Sequence, residues 1–293
     1  MQLPKNIAYE ENFSFAKHTT YGLGGNAKIA FFPKTINEAT EIFDFVNTNY
    51  AKYFILGNGS NVLASDEDYD GAVIHTGFLS DISHEGTTLT CLSGTSVKKL
   101  LDYCILNGLE GLEYLAGIPA SIGGLTLMNG GINCTRIESN VTEVLIYDGK
   151  SHNLKLEDCK FGNKHSTMCD INAIILSVSL KVTKSTKEKV KNSVNYFLNL
   201  RKAQPKGKSC GCVFKNPENI SAGRIIDETG LKGLQFGGAT VSKEHANFII
   251  NESGTAKDVY KLICEVKKRV YERYKEKLEE EVVYIGKFNE TDV

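Results

Sequence analysis

The sequence carries almost no net charge: 34 lysines and arginines face 35 aspartates and glutamates, for a formal charge of −1. That balance argues against a nucleic-acid scaffold, which needs a basic surplus or a basic face to meet phosphates. No apolar run reaches the length that spans a bilayer, so no membrane insertion is expected. The opening residues, MQLPKNIAYEENF, lack a basic stretch followed by an apolar core. No secretory signal is therefore expected, and the location expected is cytoplasmic. The eight cysteines (Cys91, Cys104, Cys134, Cys159, Cys169, Cys210, Cys212 and Cys264) then read as reduced thiols, not as a disulfide framework. Only Cys210 and Cys212 lie close together. Cys-Gly-Cys has no second pair or nearby histidine to complete a zinc site, so no metal is expected. Internal repeats and low-complexity tracts are absent. What remains is a globular composition, 41% hydrophobic and 24% charged, in 293 residues, which is enough for two or three modest domains.

Apolar spacing predicts helices over 36–50, 95–107, 185–202, 221–229 and 256–276. Thr95 is the expected N-cap of the second. The last carries Val259, Leu262, Ile263, Val266 and Val270 on one face. Short apolar runs predict strands at 53–56, 72–75, 88–93, 142–148, 172–183 and 282–285, with further short strands within 233–251. Gln204-Pro205-Lys206-Gly207 interrupts the pattern and marks a domain boundary. Short strands mixed with helices, without regular βαβ alternation, favour an α+β fold over a doubly wound parallel sheet.

Three glycine-rich segments stand in the first half. Gly57-Asn58-Gly59-Ser60-Asn61 follows a predicted strand, and backbone amides in such a turn form a concave anion site to which Ser60 and Asn61 add donors. Its spacing is neither that of a Rossmann fingerprint nor that of a P-loop. The run from Gly117 through Ile118, Pro119, Ala120, Ser121 and Ile122 to Gly123 and Gly124 lets a chain lie flat against a ligand. The third is Tyr21-Gly22-Leu23-Gly24-Gly25. Any one alone is also explained as an ordinary turn. Together they point to a diphosphate-bridged dinucleotide held by backbone amides. In the second half, KSCGCVFKNP at 208–217 places the Cys212 thiol directly after Gly211, where the backbone can approach a ligand closely. A buried, inert cysteine is the plain alternative.

These motifs occur in a fixed order: HTTYGLGG at 18–25, LGNGSN at 56–61, EYLAGIPASIGG at 113–124, MNGG at 128–131, QPKGKSCGCVFKNP at 204–217, GRIIDETGLKGLQFGGATVSKEHANFIIN at 223–251 and LEEEVVYIG at 278–286. In that order the sequence resembles the UDP-N-acetylenolpyruvoylglucosamine reductase family, over nearly its whole length. The uninterrupted 223–251 segment resembles the family's shorter subtype, which lacks an extra substrate-covering loop. The resemblance implies a two-lobed α+β FAD-binding region of the vanillyl-alcohol-oxidase type, with lobes at 1–80 and 81–200, followed by a substrate-binding domain at 201–293. It implies noncovalent FAD, NADPH as reductant and UDP-N-acetylglucosamine enolpyruvate as substrate in peptidoglycan precursor synthesis. It also implies a monomer.

The site residues follow from the matched motifs. The family's proton-donating serine lies in G-S-x-F-K/R-N-P, and here that position is Cys212. A thiol is a stronger acid than a hydroxyl, with a reference pKa of about 8.5, so the exchange is chemically workable. The family's glutamate, in L-x-x-E-V, matches Glu281. Its arginine, in F-G-Y-R-x-S, is replaced by Lys164, which keeps the charge but loses the planar two-point grip on a carboxylate. FAD is expected at Gly57, Asn58, Gly59, Ser60 and Asn61 and at Gly117, Ile118, Pro119, Ser121, Gly123 and Gly124. The substrate is expected at Lys215, Asn216 and Arg224. Because Cys212 and Lys164 both depart from the pattern, a same-fold flavoprotein with lost or altered activity stands as the alternative, and a nucleotide-sugar binder without FAD as a third.

Overall fold

The computed structural model describes residues 3–4, 7–132 and 135–288, so Cys134 lies outside the described residues. Seven α-helices occur among them: α1 Phe15–His18, α2 Ile36–Asn49, α3 Val97–Asn107, α4 Ile122–Leu127, α5 Lys187–Leu200, α6 Ala222–Glu228 and α7 Ala256–Tyr274. The fold is α+β. The chain divides into two compact units that are not contiguous in sequence. The first comprises 1–10, 29–58 and 71–202, and the second 11–28, 59–70 and 203–293. Several boundaries fall inside strands, namely Tyr9–Ser14, Asn26–Phe31 and Tyr69–His75.

The first unit is built on a five-stranded antiparallel sheet in the order Ser151–Lys155, Val141–Tyr147, Ile174–Lys181, Thr88–Leu92, Ile82–Glu85. The central strand Ile174–Lys181 reads IILSVSLK and is buried along most of its length. Its Ile174 and Leu176 join a core with α2, while Val178 and Leu180 join a second core with α3, α4 and α5. Alternation alone would put these four side chains on one face; a register shift against Val141–Tyr147, between Leu145 and Ile146, interrupts it, and the strand feeds two cores. A parallel pair, Tyr53 with Ala72 through Leu56 with His75, adds Ala72 and Ile74 to the α2 core. Helix α3 is capped by Ser96, not the expected Thr95: the Ser96 hydroxyl accepts the Lys99 N–H at 3.2 Å, and the Thr95 N–H instead bonds back to the Leu92 carbonyl at 3.0 Å. The helix ends on Gly108 at φ 63°, a left-handed cap that glycine adopts at little cost.

The second unit packs α6 and α7 with a three-stranded sheet, Gln235–Phe236, Ala239–Val241 and Ile249–Asn251. The predicted face of α7 (Val259, Leu262, Ile263, Val266, Val270) is buried in its core. Thr255 and Asp258 form a reciprocal capping box at the start of α7, and the Asp66 carboxylate accepts the N–H groups of Ala256 and Lys257 at 2.9 Å each. A carboxylate here also meets the positive end of the helix dipole. Val283–Ile285 pairs in parallel with Val62–Ala64 and closes the unit.

Candidate active site

In the first unit the two glycine-rich segments meet. A Cβ on Gly57 would stand 2.2 Å from Ser121 Oγ, so only glycine permits this approach. Asn58 Nδ2 donates to the Pro119 carbonyl at 3.4 Å. The segment 117–124 is not a loop throughout: Ser121 caps α4, its hydroxyl accepting the Gly124 N–H at 3.3 Å, and Gly123 and Gly124 already lie in the first turn. Glycine at 123 is required because a Cβ there would come 2.7 Å from Ser93 Cβ. Gly117 abuts Arg201, whose Nη1 donates to the Gly117 carbonyl at 3.4 Å.

This region fits a ligand rich in hydrogen-bond acceptors. Among the described residues the N–H groups of Asn58, Ala120 and Ser121 meet no protein acceptor, although Ser121 is buried. Two buried hydroxyls close by, Ser93 Oγ and Thr126 Oγ1, also lack a partner there. Buried polar groups are nearly always paired, so such a concentration marks a place where a ligand completes the bonding. Asn58, Pro119, Ile118 and the Gly117, Ser121, Gly123 and Gly124 backbone are the residues that would hold FAD here.

Lys164 also belongs to this unit. It occupies the third position of a tight turn closed by Gly162 N–H donating to the His165 carbonyl at 2.9 Å, with φ 56°. The turn is anchored to the end of α4, where the Leu127 carbonyl accepts the Ser166 hydroxyl at 2.7 Å. Two further residues hold it: Asn129 Nδ2, within the MNGG motif, and Arg136 Nη1, which no motif marks, both donate to the Gly162 carbonyl, at 3.0 and 3.1 Å.

In the second unit the 208–217 stretch threads between two partners. On one side Cys212 bridges Phe248, and Val213 N–H donates to the Asn247 carbonyl at 2.9 Å. The buried Asn247 amide completes that side by accepting the Phe214 N–H at 2.9 Å and donating to the Phe214 carbonyl at 2.8 Å. On the other side Phe214 bridges Glu280, and the Glu281 N–H donates to the Val213 carbonyl at 2.7 Å. Cys212 and Glu281, 69 positions apart in sequence, are therefore held on adjacent strands.

The acidic run divides by partner. Glu279 lies 3.5 Å from Lys215 Nζ, and Glu280 is 2.7 Å from Lys267 Nζ on α7. Glu281 is half-buried, and its carbonyl accepts Asn61 Nδ2 at 2.9 Å. Asn61, expected at the flavin, thus also fixes the backbone of Glu281. Behind them the Cys210 thiol is pushed up to about 12 by burial; the nearby Tyr21 hydroxyl pulls the other way, while Glu281 and Cys212 add to the rise. Gly59 and Ser60 lie in this unit as well, and the Gly59 carbonyl accepts the Thr20 N–H at 3.0 Å. Asn216 Oδ1 accepts the Ala222 N–H at 3.0 Å, at the start of α6. Arg224 is exposed and paired with Glu228 at 2.7 Å.

Two family models match successive parts of the chain. A profile described as "UDP-N-acetylenolpyruvoylglucosamine reductase, C-terminal domain" matches residues 203–285, and one described as "FAD binding domain" matches 27–156. The UDP-N-acetylenolpyruvoylglucosamine reductase of Prochlorococcus marinus is 35% identical over 288 residues, covering 96% of this chain and 99% of its own. That of Listeria innocua is 36% identical over 287 residues, covering 96% of each. The crystal structure of the reductase from Thermus caldophilus superposes with a TM-score of 0.81 at 35% identity, over 96% of this chain and 99% of that one. This chain belongs to the UDP-N-acetylenolpyruvoylglucosamine reductase family.

Proposed function

We propose that this protein reduces UDP-N-acetylglucosamine enolpyruvate to UDP-N-acetylmuramate with NADPH as reductant, and that Cys212 is the proton donor. Bound FAD supplies hydride transfer from NADPH to the enolpyruvyl double bond. The remaining work falls to side chains. The Cys212 S–H bond breaks as its proton passes to the carbon next to the one that takes the hydride, and solvent reprotonates the thiolate. Glu281, on the strand beside it, faces the developing enolate or holds the water that shares its proton. Lys164 offers its ammonium to the substrate carboxylate. Lys215 and Asn216 line the substrate on the Cys212 strand, and Arg224 reaches a phosphate by giving up Glu228. Residues 1–80 and 81–200 serve as the FAD-binding lobes and 201–293 as the substrate-binding part. The reading carries with it a cytoplasmic monomer.

The observation that supports this reading best is the double clamp on 212–214. Asn247 fixes one edge and Glu281 the other, so the thiol has a defined direction. Anaerobic half-reactions test it. NADPH should bleach the flavin in wild type and in Cys212→Ala alike. UDP-N-acetylglucosamine enolpyruvate should restore the flavin absorbance in wild type and in Cys212→Ser, but not in Cys212→Ala. Normal reoxidation in Cys212→Ala would remove the thiol from the reaction.

A further inference from the structure

The turn that carries Lys164 has a second cation beneath it. Arg136 donates through Nη1 to the Gly162 carbonyl at 3.1 Å and through Nη2 to Asn163 Oδ1 at 3.4 Å. Its own backbone is fixed on both sides. Arg136 pairs with Gly131 in a short antiparallel ladder, and a Cβ on Gly131 would stand 2.7 Å from Arg136 Cα. The Tyr114 hydroxyl donates to the Arg136 carbonyl at 3.2 Å. The nearby acid, Glu138, is bonded to Asn129 Nδ2 at 2.8 Å. Among the described residues no carboxylate pairs with Arg136, although its side chain is half-buried. A partly desolvated guanidinium that meets only neutral oxygens keeps N–H groups and a full charge for an anion. Its planar fork suits a carboxylate, and a lysine cannot reproduce that two-point geometry.

We infer that Arg136 grips the carboxylate of the enolpyruvyl substrate, with Lys164 as a second cation on the same turn. This rests on the reductase reading above. It assigns the planar grip that Lys164 cannot provide to a residue 28 positions earlier in the chain.

The test compares two ligands on the FAD-loaded protein, each followed by perturbation of the flavin spectrum. One is UDP-N-acetylglucosamine enolpyruvate, and the other is UDP-N-acetylglucosamine, which lacks the carboxylate. Arg136→Ala should weaken the first by about ten- to a hundred-fold and leave the second within about two-fold. Arg136→Lys should recover part of the loss. Equal weakening of both ligands would make Arg136 merely structural and overturn the inference, as would no weakening of either. A higher KM for NADPH but not for NADH in Arg136→Ala, with the enolpyruvate affinity intact, would assign the guanidinium to the 2′-phosphate of the nicotinamide cofactor and also overturn it. The two levels separate cleanly. A wild-type flavin that the enolpyruvate cannot reoxidise sinks the reductase reading and this inference with it. A wild type that turns over beside an unaffected Arg136→Ala sinks this inference alone.

Discussion

Asn247→Ala should unfasten the strand that carries Cys212. Asn247 and Phe214 are 3% and 2% exposed, and the Asn247 amide makes both hydrogen bonds of the Phe214 peptide, at 2.9 and 2.8 Å. Alanine leaves a buried N–H and a buried carbonyl without partners. At about 1–3 kcal/mol for each orphaned group, the loss is roughly 2–6 kcal/mol. With an m-value of about 2–3 kcal/mol/M in urea, the midpoint should fall by about 1–3 M. Far-UV circular dichroism is the suitable probe, because the chain has no tryptophan. Asn247→Asp tells the two bonds apart: its carboxylate still accepts the Phe214 N–H but opposes the Phe214 carbonyl with no donor, so it should be no more stable than Asn247→Ala. Below the unfolding transition, flavin content should stay near that of wild type, since the 117–124 segment proposed to hold FAD belongs to the other unit. Reoxidation by the enolpyruvate should slow, because the thiol direction is set two residues from the lost bonds. A loss under about 0.5 kcal/mol would refute the clamp, since unsatisfied buried peptide groups cannot be that cheap.

Lys164→Gly should raise stability by about 0.5–1 kcal/mol, because φ 56° strains any residue with a Cβ, while it lowers turnover by removing the cation; a less stable variant would show that the lysine side chain holds the turn. Lys164→Arg should keep or raise turnover, read as kcat/KM for the enolpyruvate, and a large loss would mean that the turn is built around lysine. Alkaline stability is set in part by thiols that burial pushes up to about 12, Cys104 and Cys210. The unfolded thiols ionise near pH 8.5–9 and the folded ones do not, so their contribution is full below that range and falls as pH rises toward the folded value. Each should remove roughly 1.4 kcal/mol of stability per pH unit above about pH 9, and Cys210→Ala should flatten the urea-midpoint slope between pH 9 and 10.5; an unchanged slope would mean that Cys210 ionises in the folded protein.

The helices with clear apolar periodicity were legible, and α2, α5 and α7 lie within a few residues of their predicted spans. Helix α4 was not, because Gly123 and Gly124 argue against a helix wherever propensity alone is weighed. Their presence is explained only by the close approach of Ser93, a tertiary fact. The cap of α3 shifted by one residue because Thr95 and Ser96 are both capping types, and sequence does not say which hydroxyl reaches the third N–H. The two units were hidden for a different reason. Segments 11–28 and 59–70 cluster with residues far along the chain, and no change in composition marks their ends.

The candidate site shows the same division between local and distant information. Cys212, Glu281 and Lys164 could be named as candidates because each sits in a short motif. Their supports could not: Asn247 is 33 residues from Phe214, and Arg136 is 26 from Gly162. The acidic run 279–281 illustrates how the structure resolves what sequence leaves degenerate. Three consecutive glutamates are chemically equivalent on paper. Strand pairing puts Glu279 opposite Lys215 and sends Glu280 to Lys267. Glu281 acts on the Cys210 thiol, from a backbone pinned by Asn61. A one-residue slip of this register would exchange those fates, because successive side chains on a strand point to opposite faces. The bonds that tie Asn61 and Val213 to the Glu281 backbone therefore fix the register of the three glutamates, and Asn61, expected at the flavin, takes part in setting it.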